Sequence, residues 1–106
     1  MNQGTQDVGT GISAAGTTQA TATELINGIN YVSTVASGSG VTLSPNATPG
    51  GFQLIYNAGA NALTVYPPSG AKINSLATNG GHVLPTNTSC EYWFVSSTQI
   101  IGNLSA

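Results

Sequence analysis

The side chains that could act as general acids, general bases, thiol nucleophiles or metal ligands are few: Asp7, Glu24, His82, Cys90 and Glu91. General acid–base catalysis needs a positioned histidine or a pair of carboxyl groups, and a metal site needs three or four ligands. Cys90 and Glu91 are neighbours in a predicted strand, so their side chains point to opposite faces of a sheet. His82 would face one of them if its own strand lay beside theirs, and a Cys–His contact would resemble a nucleophilic dyad.

The alternative is a buried Cys90 thiol that packs as a small apolar group, with His82 at the surface. We favour this alternative, because the sequence contains none of the short motifs of serine hydrolases, nucleotide-binding loops or zinc proteases. The sequence therefore predicts a protein that is not an enzyme and that holds no metal and no cofactor.

Aromatic rings could also form a ligand site, because rings stack on sugars while Asn and Gln side chains hydrogen-bond sugar hydroxyls. The other possibility is packing in the core, with the tyrosyl hydroxyls at its rim. We expect core packing for most of the candidate rings, which are Tyr31, Tyr56, Tyr66, Tyr92 and Trp93. Tyr66 is followed by two prolines, and it is the ring that we expect to be exposed as an anchor for a partner protein.

Three Asn-X-Ser/Thr sequences, at Asn46, Asn87 and Asn103, would be glycan acceptors in a secreted protein. A chain of 106 residues with ten asparagines and 25 serines and threonines is expected to contain two or three such sequences by chance. The N-terminal stretch has neither the basic region nor the apolar region of a signal peptide, so we expect synthesis in a cytoplasm and no glycan.

Charged side chains make up only 4% of the 106 residues, and a single lysine is the only basic residue besides one histidine. Nucleic-acid binding and membrane-surface binding both need clusters of cations, so both classes are excluded. No apolar run is long enough to span a membrane, and one cysteine allows no internal disulfide. Near-neutral surfaces tend to associate, and uncharged polar groups cost less to bury than ions. The composition therefore predicts a chain covered by other copies or by another protein.

The chain is short enough for one domain, and from residue 24 onward short apolar runs alternate with turn sequences. Residues 29–36 are rich in strand formers, although Leu25 and Ile29 would also fit one face of a helix. We find no repeat of fixed period. The pattern predicts an all-β domain over residues 24–106, a small β-sandwich of jelly-roll type or a barrel, with seven or eight short strands.

Two predicted elements are central to this domain. Phe52–Tyr56 and Ala62–Tyr66 are expected to form a β-hairpin across a five-residue loop. Ser89–Val95 is the most apolar run, and we expect it in the centre of a sheet, buried on both faces except near Glu91.

Residues 1–23 are small and polar, and Val8 and Ile12 are the large apolar side chains that interrupt this run. The apolar residues of this stretch do not recur with the period of a helix, and they alternate only weakly with polar ones. We therefore expect an extended N-terminal arm that becomes ordered on a partner or pairs at a sheet edge. A flexible terminus is the alternative. We expect the arm and the Tyr66 region to contact a partner, and the candidate interface residues are Val8, Ile12, Thr17, Tyr66 and Pro67.

Asn57–Pro67 reads NAGANALTVYP, and it is followed by Gly70, Ile73-Asn74 and Tyr92-Trp93-Phe94. Near the N-terminus, Ala14–Ala22 reads AAGTTQATA. Together these stretches resemble a group of small virion proteins of tailed bacteriophages and prophages, over about residues 12–101. The resemblance implies a β-rich structural protein of the particle, of the kind that decorates or cements the head, usually as a homotrimer.

We therefore expect a capsid decoration protein that trimerises on the outer surface of the head and bridges major capsid proteins, with residues 1–23 as part of the grip. Contacts made by Thr, Asn and Gly around a few aromatic rings fit this role, and a trimer strengthens weak contacts through effective concentration. The alternative is a tail-fibre or head-fibre module that binds host surface glycans through exposed tyrosines.

Overall fold

A computed structural model describes residues 8–45 and 48–104. Within these ranges the chain forms ten short strands and no helix, so none of its described elements is a helix that could cross a membrane. The all-β prediction is confirmed. The strands are β1 (Val8–Ser13), β2 (Thr23–Glu24), β3 (Ile29–Thr34), β4 (Gly40–Thr42), β5 (Phe52–Asn57), β6 (Leu63–Tyr66), β7 (Lys72–Ile73), β8 (His82–Leu84), β9 (Ser89–Phe94) and β10 (Gln99–Leu104).

The strands form two sheets that enclose one core. The six-stranded sheet has the order β1-β3-β5-β9-β10-β7, and the four-stranded sheet has the order β2-β4-β6-β8. Ile55 and Tyr92 from the six-stranded sheet and Val41 and Val65 from the four-stranded sheet are fully buried members of a single apolar cluster. Alternate residues of each strand fill this layer, as the two-residue period of a strand requires.

The first six strands form three stacked coils. Each coil places one strand in the six-stranded sheet and the next strand in the four-stranded sheet, and the coils are β1–β2, β3–β4 and β5–β6. Their first strands begin at Val8, Ile29 and Phe52, which are 21 and 23 residues apart. Successive coils pair in parallel in both sheets. This solenoid-like stacking differs from the antiparallel strand pairing of a jelly roll.

The predicted hairpin is wrong, although both of its strands exist. β5 and β6 lie in different sheets, and the loop between them is a corner of the third coil. The corner packs closely on the second coil, because a Cβ atom added to Gly59 would lie 2.6 Å from Cγ2 of Val35. A short loop of small residues suits such a corner as well as it suits a hairpin turn.

The side chain of Asn57 holds this corner from inside the core. Its Nδ2 donates to the carbonyl oxygens of Asn61 at 2.9 Å and Leu84 at 3.0 Å, and its Oδ1 accepts from the Gly59 N–H at 2.9 Å. Buried backbone groups that cannot join a sheet ladder need such partners. A neutral amide supplies both donor and acceptor without burying a charge.

The chain direction reverses after the third coil. β8 pairs antiparallel with β6, β9 pairs antiparallel with β5, and β10 then pairs with both β9 and β7. β9 therefore lies inside its sheet, as predicted. Only one of its faces is buried, since Tyr92 and Phe94 point into the core while Trp93 is exposed. The expectation of burial on both faces is wrong, because no described segment covers the other side of the six-stranded sheet.

The described part of the predicted arm, residues 8–23, is folded onto the rest of the chain. β1 pairs with β3 at the edge of the six-stranded sheet, and Ile12 packs against the core. A bulge at Gly11, where φ is +66°, interrupts the register between the two strands. Residues 1–7 of the arm and the Asn46 sequence lie outside the described residues.

We expect Asn57→Ala to lower the free energy of unfolding by about 3 kcal/mol, since three hydrogen bonds are lost and a buried corner is left without partners. Urea unfolding monitored by tryptophan fluorescence measures the change. Asn103→Ala, at an exposed position of β10, is the matched control and should change stability by less than about 0.5 kcal/mol. Equal effects of the two substitutions would contradict the role assigned to Asn57.

Candidate functional site

Three titratable side chains meet in the core between β8 and β9. The buried Tyr92 hydroxyl lies 2.8 Å from Nδ1 of His82, and the two rings meet edge to face at 5.6 Å. Cys90 lies on the same face of β9, close enough to Tyr92 for the two side chains to influence each other's pKa. Burial raises the pKa of Tyr92 far above its usual value. Tyr92 therefore stays protonated, and its hydroxyl donates a hydrogen bond to Nδ1 in the tautomer of neutral His82 that carries its proton on Nε2.

This cluster does not have the properties of a nucleophilic dyad. Burial is the main cause that raises the pKa of the Cys90 thiol, whereas a reactive cysteine needs a lowered pKa. Burial also lowers the pKa of His82, so the imidazole stays neutral. Glu91 points to the opposite face of β9, as its adjacency to Cys90 predicts. The arrangement is a polar link across the core, and its chemical effect is to orient the imidazole.

Metal binding has no support in the part of the chain that the structure describes. Within residues 8–45 and 48–104, no three His, Cys, Asp or Glu side chains are grouped so that they could hold an ion. Asp7 lies outside these ranges.

A more distinctive surface is the side of the six-stranded sheet that points away from the core. Eight of its side chains are large, apolar and half-buried or exposed, including Trp93 at 40% and Tyr31 at 46% exposure. We call this surface the outer face; its large apolar members are Val8, Ile29, Tyr31, Phe52, Leu54, Tyr56, Trp93 and Ile101, and its polar members include Ser33, Lys72, Ser89, Glu91, Gln99 and Asn103. The four-stranded sheet differs, because Val83 is the one large apolar side chain that its described strands expose.

Two pairs of stacked rings lie on the outer face. Tyr31 and Tyr56 have centroids 5.5 Å apart and planes 24° apart, and Phe52 and Trp93 have centroids 4.6 Å apart and planes 29° apart. Each pair joins aligned positions of neighbouring strands. The separations are close to the ~4.8 Å spacing of strands, so the rings face each other along the sheet and turn their edges outward.

Only two of the charged side chains that the structure describes are on this sheet. Glu91 lies between the two ring pairs, beside Leu54 of β5 and Asn103 of β10. Lys72 lies at the far edge of the sheet, beside Gln99 of β10, and its side chain also points away from the core. Strand β10 separates the two charges.

The predicted interface residues are divided between two places. The Tyr66 hydroxyl donates to the Thr17 carbonyl oxygen at 3.0 Å, and Pro67 is buried beside them in the chain's own fold. Val8 is exposed on the outer face, whereas Ile12 is half-buried against the core. Tyr66 thus anchors the chain's own β1–β2 connection. Contact of these five residues with a partner stays a prediction.

A cleft of about 300 Å³ lies beside the β1–β2 connection, on the four-stranded sheet. Gln19 Nε2 in its wall donates to the Pro67 carbonyl oxygen at 2.7 Å and to Asn79 Oδ1 at 3.1 Å. Thr42 Oγ1 donates to the Gln19 carbonyl oxygen at 3.3 Å. Gln19 and Thr42 therefore use these groups within the chain, and Glu24 supplies the one charged side chain of the lining.

Sequence reasoning missed the position of Trp93. Core packing was expected for most of the rings, and of these Tyr92 is fully buried while Trp93 and Tyr31 are exposed. The signal was present in β9, because Cys90, Tyr92 and Phe94 already form a complete inward face at alternate positions. Trp93 must then point outward, whatever the overall hydropathy of the run.

Comparisons with known proteins identify no relative of this chain. No family model, no curated protein and no solved structure matches it. A functional interpretation therefore starts from the geometry described above.

We expect the stability of the fold to decrease as pH falls below the ordinary histidine value of 6.5. The pKa of His82 is lowered in the folded chain, so the unfolded chain binds a proton at a higher pH than the folded chain does. Protonation therefore stabilises the unfolded state relative to the folded state. This loss should level off once the pH passes below the lowered folded-state pKa. Urea unfolding across this range measures it, and His82→Gln should remove this part of the pH dependence. Identical pH profiles for both proteins would contradict the prediction.

We expect Trp93→Ala to cost about 1–2 kcal/mol of stability, because the stacking on Phe52 and the partial burial of the ring are lost but no cavity forms in the core. Phe94→Ala is the matched comparison, since Phe94 is only 4% exposed. It should cost about 3–5 kcal/mol, as deletion of a buried ring does. Urea unfolding, monitored by far-ultraviolet circular dichroism, measures both. A larger loss for Trp93→Ala than for Phe94→Ala would show that Trp93 belongs to the core.

Proposed function

We propose that this chain is a structural protein of a tailed-bacteriophage virion, a capsid decoration protein that trimerises on the outer surface of the head and bridges major capsid proteins. The observation that carries the proposal is the outer face, an apolar, ring-bearing sheet surface on a chain with few charges. An exposed apolar surface of this kind marks a site of protein contact. The sequence resemblance to small phage virion proteins supports the same role.

The low charge of the chain suits a permanent place in a particle. Contacts between rings, aliphatic groups and uncharged polar groups are screened little by salt, whereas exposed ion pairs weaken as salt rises. Glu24, Lys72 and Glu91 are the charged side chains in the described ranges, so most of the surface has no ions to desolvate. Such a surface can be covered at low cost.

We also propose that the two sheets form a short solenoid-like stack in place of a jelly roll. Residues 8–23 form its first coil and its connection, so the proposal assigns attachment to the outer face, to which this segment contributes Val8. The proposed role requires no catalysis.

A fibre module that binds host glycans is the second candidate. The exposure of Tyr31 and Trp93 favours it, because a sugar needs accessible rings. The stacking of the rings weighs against it. A sugar lies flat against the face of a ring, and here each ring turns one face toward its neighbour and its edge outward.

The test is co-sedimentation of the purified chain with empty phage heads. We expect saturable binding that resists high salt, and we expect Trp93→Asp to weaken it by about tenfold or more, since an ion would have to be buried at the contact. Val83→Asp is the matched control, because Val83 is 58% exposed on the other sheet. Absence of binding to heads, together with binding on a glycan array, would replace the proposal by the second candidate.

A further inference from the structure

We infer that the cleft on the four-stranded sheet binds a lysine side chain of a partner protein. The β1–β2 connection, β2 and the residues that follow β4 and β6 form this cleft. Glu24 receives the ammonium group, and Pro45 and Pro68 enclose the aliphatic stem. The cleft and the outer face belong to different sheets, so this binding does not depend on the role proposed for the outer face.

Two polar side chains of the lining have used their donors and kept acceptors. Gln19 donates both amide protons within the chain, to the Pro67 carbonyl oxygen and to Asn79 Oδ1, and its Oε1 remains. Thr42 donates its hydroxyl proton to the Gln19 carbonyl oxygen, and the lone pairs of its Oγ1 remain. The ionised carboxylate of Glu24 has acceptors only. A ligand that brings hydrogen-bond donors therefore fits this lining.

A backbone acceptor of the lining also lacks its usual donor. β4 and β6 are parallel, and their ladder continues past both strands, because the Leu43 N–H donates to the Tyr66 carbonyl oxygen at 2.9 Å. The next rung of a parallel ladder runs from the N–H of residue 68 to the Leu43 carbonyl oxygen. Residue 68 is a proline and has no N–H, so this rung cannot form. Leu43 and Pro68 both line the cleft, which places an acceptor without its rung at the base of the cleft.

The charge of the cleft selects a cation with one positive charge. Glu24 is exposed, and it would repel an anion. A diamine brings a second ammonium group, for which the lining supplies no second carboxylate. A divalent metal ion needs more oxygen ligands of this kind than one. The chain's own Lys72 lies on β7, at the opposite edge of the six-stranded sheet from β1, so the cation comes from another molecule.

The walls of the cleft fit an aliphatic stem. They include Pro45, Pro68, Ala20 and Ala22, and the described lining has no aromatic ring on which a sugar could stack. The four methylenes and the ammonium group of a lysine side chain need about 150 Å³, if each takes roughly the volume of a water molecule. The cleft offers about 300 Å³. Lysine side chains often lay their stems along apolar surface while the charged end stays among polar groups.

The placement of the acceptors favours an ammonium group over a guanidinium group. Glu24 lies on β2, Gln19 on the β1–β2 connection and Leu43 after β4, so the acceptors come from separate elements. The three protons of an ammonium group diverge and can reach acceptors on several sides. The planar fork of a guanidinium group instead matches a single carboxylate.

The test titrates the full-length, isotope-labelled chain with Nα-acetyl-lysine methylamide at low salt and follows backbone amide shifts by NMR. We expect saturable shifts at residues 19–24, 42–45 and 69–70, with a dissociation constant of about 1–10 mM, as suits one side chain. The norleucine analogue, which has the apolar stem without the ammonium group, should bind about tenfold more weakly. Glu24→Gln should weaken binding of the lysine analogue by about threefold or more, because the opposite charge is lost. Glu91→Gln makes the same change of net charge on the outer face, and as the matched control it should bind like the wild type.

Pro68→Ala tests the carbonyl group of Leu43, because the substitution supplies the missing N–H. We expect it to weaken binding of the lysine analogue by about threefold or more. Pro45→Ala is the matched control, since it removes the other ring of the wall and supplies no donor in the β4–β6 ladder. A larger loss for Pro45→Ala than for Pro68→Ala would overturn the role of the Leu43 carbonyl.

Three results would overturn the lysine site: no saturable shifts with the lysine analogue, equal binding of the norleucine analogue, or a Glu24→Gln variant that binds like the wild type. Tighter binding of Nα-acetyl-arginine methylamide, or of diaminobutane, would also overturn it, because a guanidinium group or a free diamine would then be the better occupant. The probes are small molecules and no phage heads are present. Failure here is therefore distinct from failure of the proposed decoration role.

Discussion

The fold depends on the corners where the chain leaves one sheet and enters the other. Backbone groups at these corners cannot join a sheet ladder, and buried amide side chains satisfy them instead. Gln53 Oε1 accepts from the Ser44 N–H at 2.8 Å, and Gln53 Nε2 donates to the Asn27 carbonyl oxygen at 3.0 Å. Asn30 Nδ2 donates to the same Asn27 oxygen at 2.9 Å. Together with Asn57, these amides connect successive coils, and this gives a physical reason for a chain rich in asparagine and poor in ions.

Strand positions were largely predictable, whereas strand partners were not. Alternation within Phe52–Asn57 and Ser89–Phe94 reports which residues share a face, and the structure agrees on that point. The same local pattern is compatible with a hairpin or with a coil corner. The choice depends on whether Gly59 can lie against Val35, and that contact joins residues far apart in sequence. Unequal coil spacings of 21 and 23 residues also hide the repeat.

For the candidate surfaces, too, one part could be inferred from composition, whereas the other part depends on the sheet order. Scarcity of charge was visible in the sequence and led to the prediction of contacts between proteins, which stays a prediction. The outer face was not foreseen, because its rings come from β3, β5 and β9 and only the sheet order brings them together. A Cys–His contact would have required the strands of His82 and Cys90 to lie side by side, but β8 and β9 are in different sheets. His82 instead meets Tyr92 across the core, and no sequence spacing could indicate that.

Strands β8 and β9 run antiparallel to β6 and β5, so the two ends of the stack of coils differ from each other. A stack of parallel coils presents the same backbone template at its top and at its bottom, so identical units could in principle be added without limit. Here the final turn has the opposite polarity, and the repeat cannot continue past it in the same sense. A second copy placed against that end would therefore not extend the parallel repeat.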